Sequence, residues 1–533
     1  MKNDLLSMKD ASVWASKFLE KNVTPSNINY LVTYGKIAKF KENRKIYISQ
    51  SELKEYYSSQ SYKKEKWKEK LGADLNWDLS FDSIKESETT KHVHRLHPYK
   101  GKFIPQLVEY FLDEHTDDYK RESYFKKGDI VLDPFCGSGT TLVQANELGL
   151  DAVGIDISEF NAMISECKVS KHSLNKLKSE IDKLTNLLEN FEKSHRLLDF
   201  ENELNEKLNT FNNKYFPSPE YKRQIKLGEI DGKNFGKAKE QLFLTTYNSL
   251  IKKYGIELTQ TSHESFIDKW FIKYIRDELE FISREIDELD DTNIKNVLRI
   301  ILSRTMRSCR ATTHSDLATL KQAVVSTYYC AKHFKICKPL LSILKWWKSY
   351  SKDTLKRLSD FEKLKTNTTQ ICLVGDSRYI DIKTEVSKIS PDFAKKIEKN
   401  KIRGIFSSPP YVGIIDYHEQ HAYSYDLFNL ERKDNEEIGP LFKGKGKVAR
   451  ENYVIGISDV LLNCKKFLVK DYDIFLVSND NFNLYPLIAE RAGMVIINRY
   501  KRPVLNRTEK DKNAYAEIIF HLKDIGGKNE KNV

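Results

Sequence analysis

The stretch that most limits what this chain can fold into is Ile130-Val131-Leu132-Asp133-Pro134-Phe135-Cys136-Gly137-Ser138-Gly139-Thr140-Thr141. The apolar run at its start reads as a buried strand and Leu142 to Leu148 reads as a helix, so the glycines fall at a strand-to-helix turn. Glycine lacks Cβ and tolerates positive φ, which lets backbone N–H groups close on a ligand at the electropositive start of the helix. A second strand, Asp151 to Ile155, ends at Asp156, about 20 residues past the loop, where a carboxylate can accept from ribose hydroxyls. The pattern predicts an α/β chain with a nucleotide-type pocket. No Gly-x-x-x-x-Gly-Lys-Ser/Thr loop accompanies it, which argues against a nucleotide triphosphatase.

The full string is more specific than its glycines. Asp133-Pro134-Phe135-x-Gly137-Ser138-Gly139-Thr140-Thr141 resembles the S-adenosylmethionine loop of DNA amino-methyltransferases, and Gly154-Ile155-Asp156-Ile157-Ser158 resembles the ribose-binding strand end that follows it. Upstream, Lys102-Phe103-Ile104-Pro105 matches the segment that packs against the methionine end of the cofactor in that family. Downstream, the strand Gln370 to Val374 runs into Gly375-Asp376-Ser377-Arg378, where Asp376 resembles the acceptor of the cofactor's adenine amine. The resemblance covers roughly residues 90 to 170 and 370 to 525. It implies a Rossmann-like methyltransferase sheet. The cofactor-binding set it implies is Lys102, Phe103, Pro105, Asp133, Pro134, Phe135, Gly137, Gly139, Thr140, Asp156, Ile157, Asp376 and Ser377.

The strand Arg403-Gly404-Ile405-Phe406 leads to Ser407-Ser408-Pro409-Pro410-Tyr411, and this motif bears on the reaction. An exocyclic base amine is a poor nucleophile because its lone pair is delocalised into the ring, so acceptors must polarise its N–H bonds. The two prolines fix an extended turn. Ser408 Oγ and the Pro409 carbonyl can then hold the amine in line with a sulfonium methyl, with Tyr411 as a stacking face. A base in a duplex must be flipped out to reach such a pocket. The tetrapeptide resembles the Ser-Pro-Pro-Tyr signature of N4-cytosine DNA methyltransferases, which implies Ser408, Pro409, Pro410 and Tyr411 as catalytic residues. Related N6-adenine enzymes usually carry Asp or Asn first, so adenine stays open as the alternative. RNA amino-methylation and a catalytically silent DNA-binding regulator are the further alternatives. C5-cytosine methylation is disfavoured, because the chain has no Pro-Cys dipeptide to supply a thiolate.

Around this core the organisation is predicted from pattern. Residues 1–58 read as two short helices about a polar turn, then a charged turn and a strand. This order resembles excisionase-like or MerR-like helix-turn-helix modules, with the helix near Ser26 to Val32 in the major groove and Lys36 and Arg44 among the phosphate contacts. Residues 59–89 read as a basic linker, 90–170 as the cofactor half and 370–525 as the catalytic half. Residues 171–369 read as a helical insertion for target recognition, and 526–533 as a disordered tail. In the insertion Arg304 and Arg307 stand among hydroxyls as phosphate contacts, and Arg502 and Arg507 do so near the end of the chain.

Cys309, Cys330, His333 and Cys337 offer zinc-ligand types, but the close pair is irregular and the fourth ligand distant, so the expectation is free cysteines and no metal. Lys plus Arg outnumber Asp plus Glu by 88 to 76 over 533 residues, a net charge of +12 that favours a polyanionic partner, here double-stranded DNA. Seven cysteines without regular pairing, no signal-like start and no apolar run of membrane length predict a cytoplasmic protein. No nuclease constellation is convincing, so any restriction endonuclease partner would be a separate chain.

Overall fold

A computed structural model of the chain describes residues 4–20, 22–42, 45–72, 74–81, 83–194, 197–260, 265–314, 320–504 and 515–528. Arg44 and Arg507 lie outside the described residues.

The centre is a seven-stranded sheet. Its strands in chain order are β1 (Ile130–Asp133), β2 (Asp151–Asp156), β3 (Gln370–Val374), β4 (Ile402–Ser407), β5 (Leu468–Ser478), β6 (Met494–Pro503) and β7 (Ala516–Asp524). They lie side by side as β6-β7-β5-β4-β1-β2-β3. Neighbours from β3 across to β5 pair in parallel, and β7 pairs antiparallel with both β5 and β6. Both faces are covered, and β1 shows the alternation: Val131 joins one core with Phe111, Phe406 and Phe475, while Ile130 and Leu132 join the other with Ile405 and Ile474. The chain steps outward from β1 through β2 to β3, then returns to add β4 on the other flank of β1. The topological switch point therefore lies between β1 and β4, where doubly wound sheets leave a crevice at their carboxyl ends.

The insertion leaves after the helix Glu159–Val169 and returns before β3. It is mostly helical. Its helix Lys273–Asp287 buries Ile275, Leu279, Ile282 and Ile286, the spacing of one helical face. A small two-stranded hairpin, Tyr328–Cys330 with Lys335–Cys337, interrupts the helices.

At the amino end, the helices Met8–Phe18 and Pro25–Thr33 pack with a three-stranded antiparallel sheet formed by Leu5–Ser7, Phe40–Glu42 and Lys45–Ser49. The second helix starts in a capping box: Thr24 Oγ1 accepts from the Asn27 N–H, and Asn27 Oδ1 accepts from the Thr24 N–H. The boundary expected after residue 58 falls inside one continuous helix, Gln50–Leu71. The segment beyond it is tied down rather than a free linker, since Asn76 N donates to the Lys501 carbonyl at 2.7 Å and Lys501 Nζ reaches Asp74 at 2.9 Å. Residues 526–528 of the predicted tail belong to a short 3-10 turn, Ile525–Lys528. Among the described residues no helix is long and apolar enough to cross a membrane.

Candidate active site

The switch point holds a cleft. From the β1 side Pro134, Phe135, Gly137 and Thr140 line it, from the end of β2 Asp156 and Ile157, and from the end of β3 Asp376 and Ser377. Ser408 and Pro410 close it from the end of β4, and Lys102 and Phe103 from the segment before the sheet. Two loops more than 250 residues apart in sequence thus share one space, because β1 and β4 are parallel neighbours with Val131 opposite Gly404.

The glycine loop is built to leave room. Gly137 (φ 53°) and Gly139 (φ 72°) are in the left-handed region, and a Cβ would come within 3.0 Å of the Tyr99 hydroxyl at the first and 2.9 Å of Ser165 at the second. Gly139 caps the helix Thr140–Leu148, aiming its N-terminus at the cleft. Beneath the loop, the wholly buried Lys168 donates to the Ser138 carbonyl.

Three carboxylates stand at or beneath the site. Asp133 is buried, accepts from Ser407 Oγ at 2.5 Å and from Phe135 N at 3.2 Å, and so couples the β1 loop to the end of β4. Burial pushes its carboxyl up to about 6, against those hydrogen bonds. Asp156 accepts from the N–H groups of Gly137 at 2.8 Å and Ser158 at 2.9 Å, and burial pushes it up to about 6 as well. Asp376 is gripped by Arg378, whose Nε lies 2.9 Å and 3.0 Å from the two carboxylate oxygens. A carboxylate offers about four lone-pair sites, so Asp156, which accepts from Gly137, Ser158 and Asn161, retains acceptor capacity towards a ligand, whereas the backbone N–H and guanidinium of Arg378 already occupy both oxygens of Asp376. Ser377 spends its proton on the Pro134 carbonyl at 2.6 Å, joining the β1 and β3 loops.

In the Ser408-Pro409-Pro410-Tyr411 turn, Ser408 Oγ donates to the Val477 carbonyl on β5 at 3.1 Å. That leaves the hydroxyl's lone pairs to accept from a bound amine. Pro409 is buried and Tyr411 half-buried, its hydroxyl donating to Glu517 at 3.0 Å. Pro105 opens the helix Pro105–Leu112 behind Phe103, whose ring meets Phe406 edge-on at 5.4 Å. Lys102 donates to the His94 carbonyl at 2.5 Å, and burial lowers its ammonium to about 8.

Tyr99, Tyr417 and Glu437 also line the cleft without having been singled out in the sequence. Tyr99 and Tyr417 stack loosely at 6.5 Å, and buried Glu437 accepts from the N–H groups of Tyr417 and His418 at 3.1 Å and 2.8 Å. Tyr99 lies just upstream of Lys102, a usable signal. Tyr417 and Glu437 come from the long excursion after Tyr411 and carry no spacing that marks them.

Two of the expected phosphate contacts are corrected. Arg304 is buried, bonded to Asp353 at 2.5 Å and Thr354 at 2.8 Å and lying over the Tyr350 ring at 4.4 Å, so its charge is spent in the interior of the insertion. Arg502 is buried beside Glu517 at 3.4 Å, with Nη1 reaching the Leu79 carbonyl. Arg307 and Lys36 are half-buried and keep access to solvent.

A DNA methylase family model matches residues 2–166. Type II methyltransferase M.MjaII of Methanocaldococcus jannaschii is 46% identical over 524 residues, which span 97% of this chain and 97% of that protein. Type II methyltransferase M.MvaI of Kocuria varians is 34% identical over 116 residues, 22% of this chain and 24% of its own length. M.BsoBI of Geobacillus stearothermophilus, also a type II methyltransferase, is 34% identical over 83 residues, 16% of this chain and 15% of its own. Identity sustained along nearly the whole chain, on a mostly parallel sheet whose switch point carries the cleft, shows that the chain belongs to the type II DNA methyltransferase family.

Proposed function

We propose that this protein transfers a methyl group from S-adenosylmethionine to the exocyclic N4 amine of a cytosine flipped out of duplex DNA. The observation that carries the reading is that Phe135 and Ser408 line one cleft. In it the cofactor's methionine end lies by Lys102, Phe103 and Phe135, its ribose hydroxyls by Asp156 and its adenine by Ile157 and Asp376. The target amine donates to Ser408 Oγ and the Pro409 carbonyl, which draws electron density onto nitrogen as it attacks the sulfonium methyl. The N–C bond forms as the S–C bond breaks, S-adenosylhomocysteine leaves, and the surplus amine proton passes to solvent. Tyr411 offers a ring against the base. Stacking offsets part of the few kcal/mol that unpairing costs.

Ser408, rather than Asp or Asn, favours cytosine over adenine. The two amino-terminal helices flank a turn, and the exposure of Ser26, Asn27 and Asn29 on the second supports a helix-turn-helix reading with a DNA-binding role and Lys36 near phosphate. The insertion is the candidate target-recognition region, with Arg307 as its remaining phosphate contact. A cognate endonuclease would be a separate chain, and the modified DNA would be protected from it.

The test is to incubate the protein and labelled cofactor with mixed duplex DNA and RNA, digest to nucleosides and identify the labelled species. N4-methylcytosine from DNA is expected. Label in N6-methyladenine would overturn the base assignment, and label in RNA alone would overturn the substrate.

A further inference from the structure

Apart from the residues that line the cleft, four side chains with metal-ligating atoms converge in the insertion. They are His314, Cys330, His333 and Cys337, whose ligand atoms all lie within 4.8 Å of one another. Cys330 and Cys337 stand on the two strands of the hairpin, where Cys330 is opposite Lys335, so the cysteines form a diagonal pair on one face. His333 comes from the turn between the strands and His314 from the chain before the hairpin. Cys330 Sγ lies 3.6 Å from His314 Nδ1, and Cys337 Sγ lies 3.7 Å from His333 Nδ1. For tetrahedral Zn²⁺ with Zn–S of about 2.3 Å and Zn–N of about 2.0–2.1 Å, the S···N edge is about 3.5–3.6 Å. The backbone N–H of His333 points at Cys330 Sγ at 3.4 Å, a contact that favours a thiolate and orients it.

One face of the hairpin is anchored in the main core through Ile336 and Tyr329, whereas Tyr328, Cys330 and Cys337, with Val324 against them, form a small separate cluster on the face that carries the cysteines.

We infer that His314, Cys330, His333 and Cys337 bind a structural Zn²⁺ ion. Binding releases the two thiol protons to solvent and leaves a neutral site of two thiolates and two imidazoles around the dication. Cys309 is not a ligand: it ends the helix Thr292–Cys309 inside the main core, and His314 takes the fourth position. Tyr328 Oη also reaches His314 Nδ1, at 2.7 Å, so the ion displaces one hydrogen bond there and does not need the phenol. The ion locks a hairpin that is held on its other side by Asn212, which bonds both the carbonyl and the N–H of Ile336, and by Tyr329 packed over Gly236.

The test uses the full chain purified under reducing conditions without chelator. Elemental analysis is expected to find about one zinc per chain, and Co²⁺ added to the reduced, metal-stripped protein should give the absorption of a tetrahedral thiolate site. Cys330→Ser, Cys337→Ser and His314→Ala should each lose the metal, while Cys309→Ser and Tyr328→Phe keep it. The proposal is overturned if the wild-type chain neither holds zinc nor gives thiolate-to-cobalt absorption. It is equally overturned if Cys330→Ser retains the metal. The cobalt spectrum of the wild type decides the matter even where a variant fails to fold.

Discussion

The cleft at the switch point and the arginine helix of the insertion put similar polar residues to opposite uses. At the carboxyl ends of the strands Asp156, Asp376 and Ser408 are held by neighbours yet line an open space, and Asp156 and Ser408 have acceptor sites left over. In the helix Thr292–Cys309, Arg304 turns inward and spends its charge on Asp353. Strand ends of a parallel sheet are where backbone pairing stops, so side chains there are presented; a helix packed on several sides consumes what it carries. A polar residue's type tells little until its place in the packing is known.

Ser408→Ala probes the cleft side with the largest expected effect. Removing the acceptor should cut methyl transfer about 10²–10³-fold, the scale for deleting one preorganised hydrogen-bonding group, with cofactor affinity nearly unchanged. Equal loss of cofactor affinity would mean that Ser408 is structural and the two regions are alike.

Arg304→Ala probes the other side. The buried pair is broken, but Asp353 keeps Arg357 at 2.8 Å, so the expected cost is about 2–3 kcal/mol of folding stability, below the full cost of stranding a buried charge. Urea unfolding reads it. A stable variant with weakened, salt-dependent DNA binding would return Arg304 to the phosphate-contact role.

Gly139→Ala should cost about 1–3 kcal/mol, because alanine at that φ is strained and its Cβ meets Ser165, and cofactor binding should weaken in step. Calorimetric unfolding with and without cofactor measures both.

A pH titration sharpens the cleft's electrostatics. Asp156 accepts ribose hydroxyls best as the carboxylate, and burial pushes its carboxyl up to about 6, so cofactor affinity should be flat between that pH and about 8, where Lys102 loses its proton, and fall about tenfold for each further unit below 6. Asp156→Asn should bind more weakly but lose this dependence. If the dependence survives the substitution, Asp133, also raised to about 6, is the titrating group.

The smallest effect belongs to the amino-terminal module. Lys36→Ala should weaken DNA binding less than about tenfold, equally for all sequences, and lower the slope of log affinity against log salt by about one.

What was legible in the sequence was local. The strand, turn and helix around Gly137 and Gly139, the acidic end of β2 and the Ser-Pro-Pro-Tyr turn each lie within a few consecutive residues, so their geometry follows from their own order. Tyr417 and Glu437 reach the cleft only through the folding of the excursion after Tyr411, which no spacing encodes. Arg304 and Arg502 read as surface cations because arginine usually is one, and their carboxylate partners are remote in sequence. The lysine run over 60–72 reads as either a basic connector or a helix, and the structure has its lysines inside the helix Gln50–Leu71. His314, the fourth member of the cysteine and histidine cluster, stands outside any regular ligand spacing from Cys330.

The most direct measurement is a structure of the protein with S-adenosylmethionine or a non-reactive analogue and a duplex carrying its target. The account predicts the sulfonium beside Phe135, with its methyl carbon about 3–3.5 Å from an amine nitrogen that donates to Ser408 Oγ. A cofactor bound elsewhere, or a flipped base whose reacting atom lies away from Ser408, would contradict it.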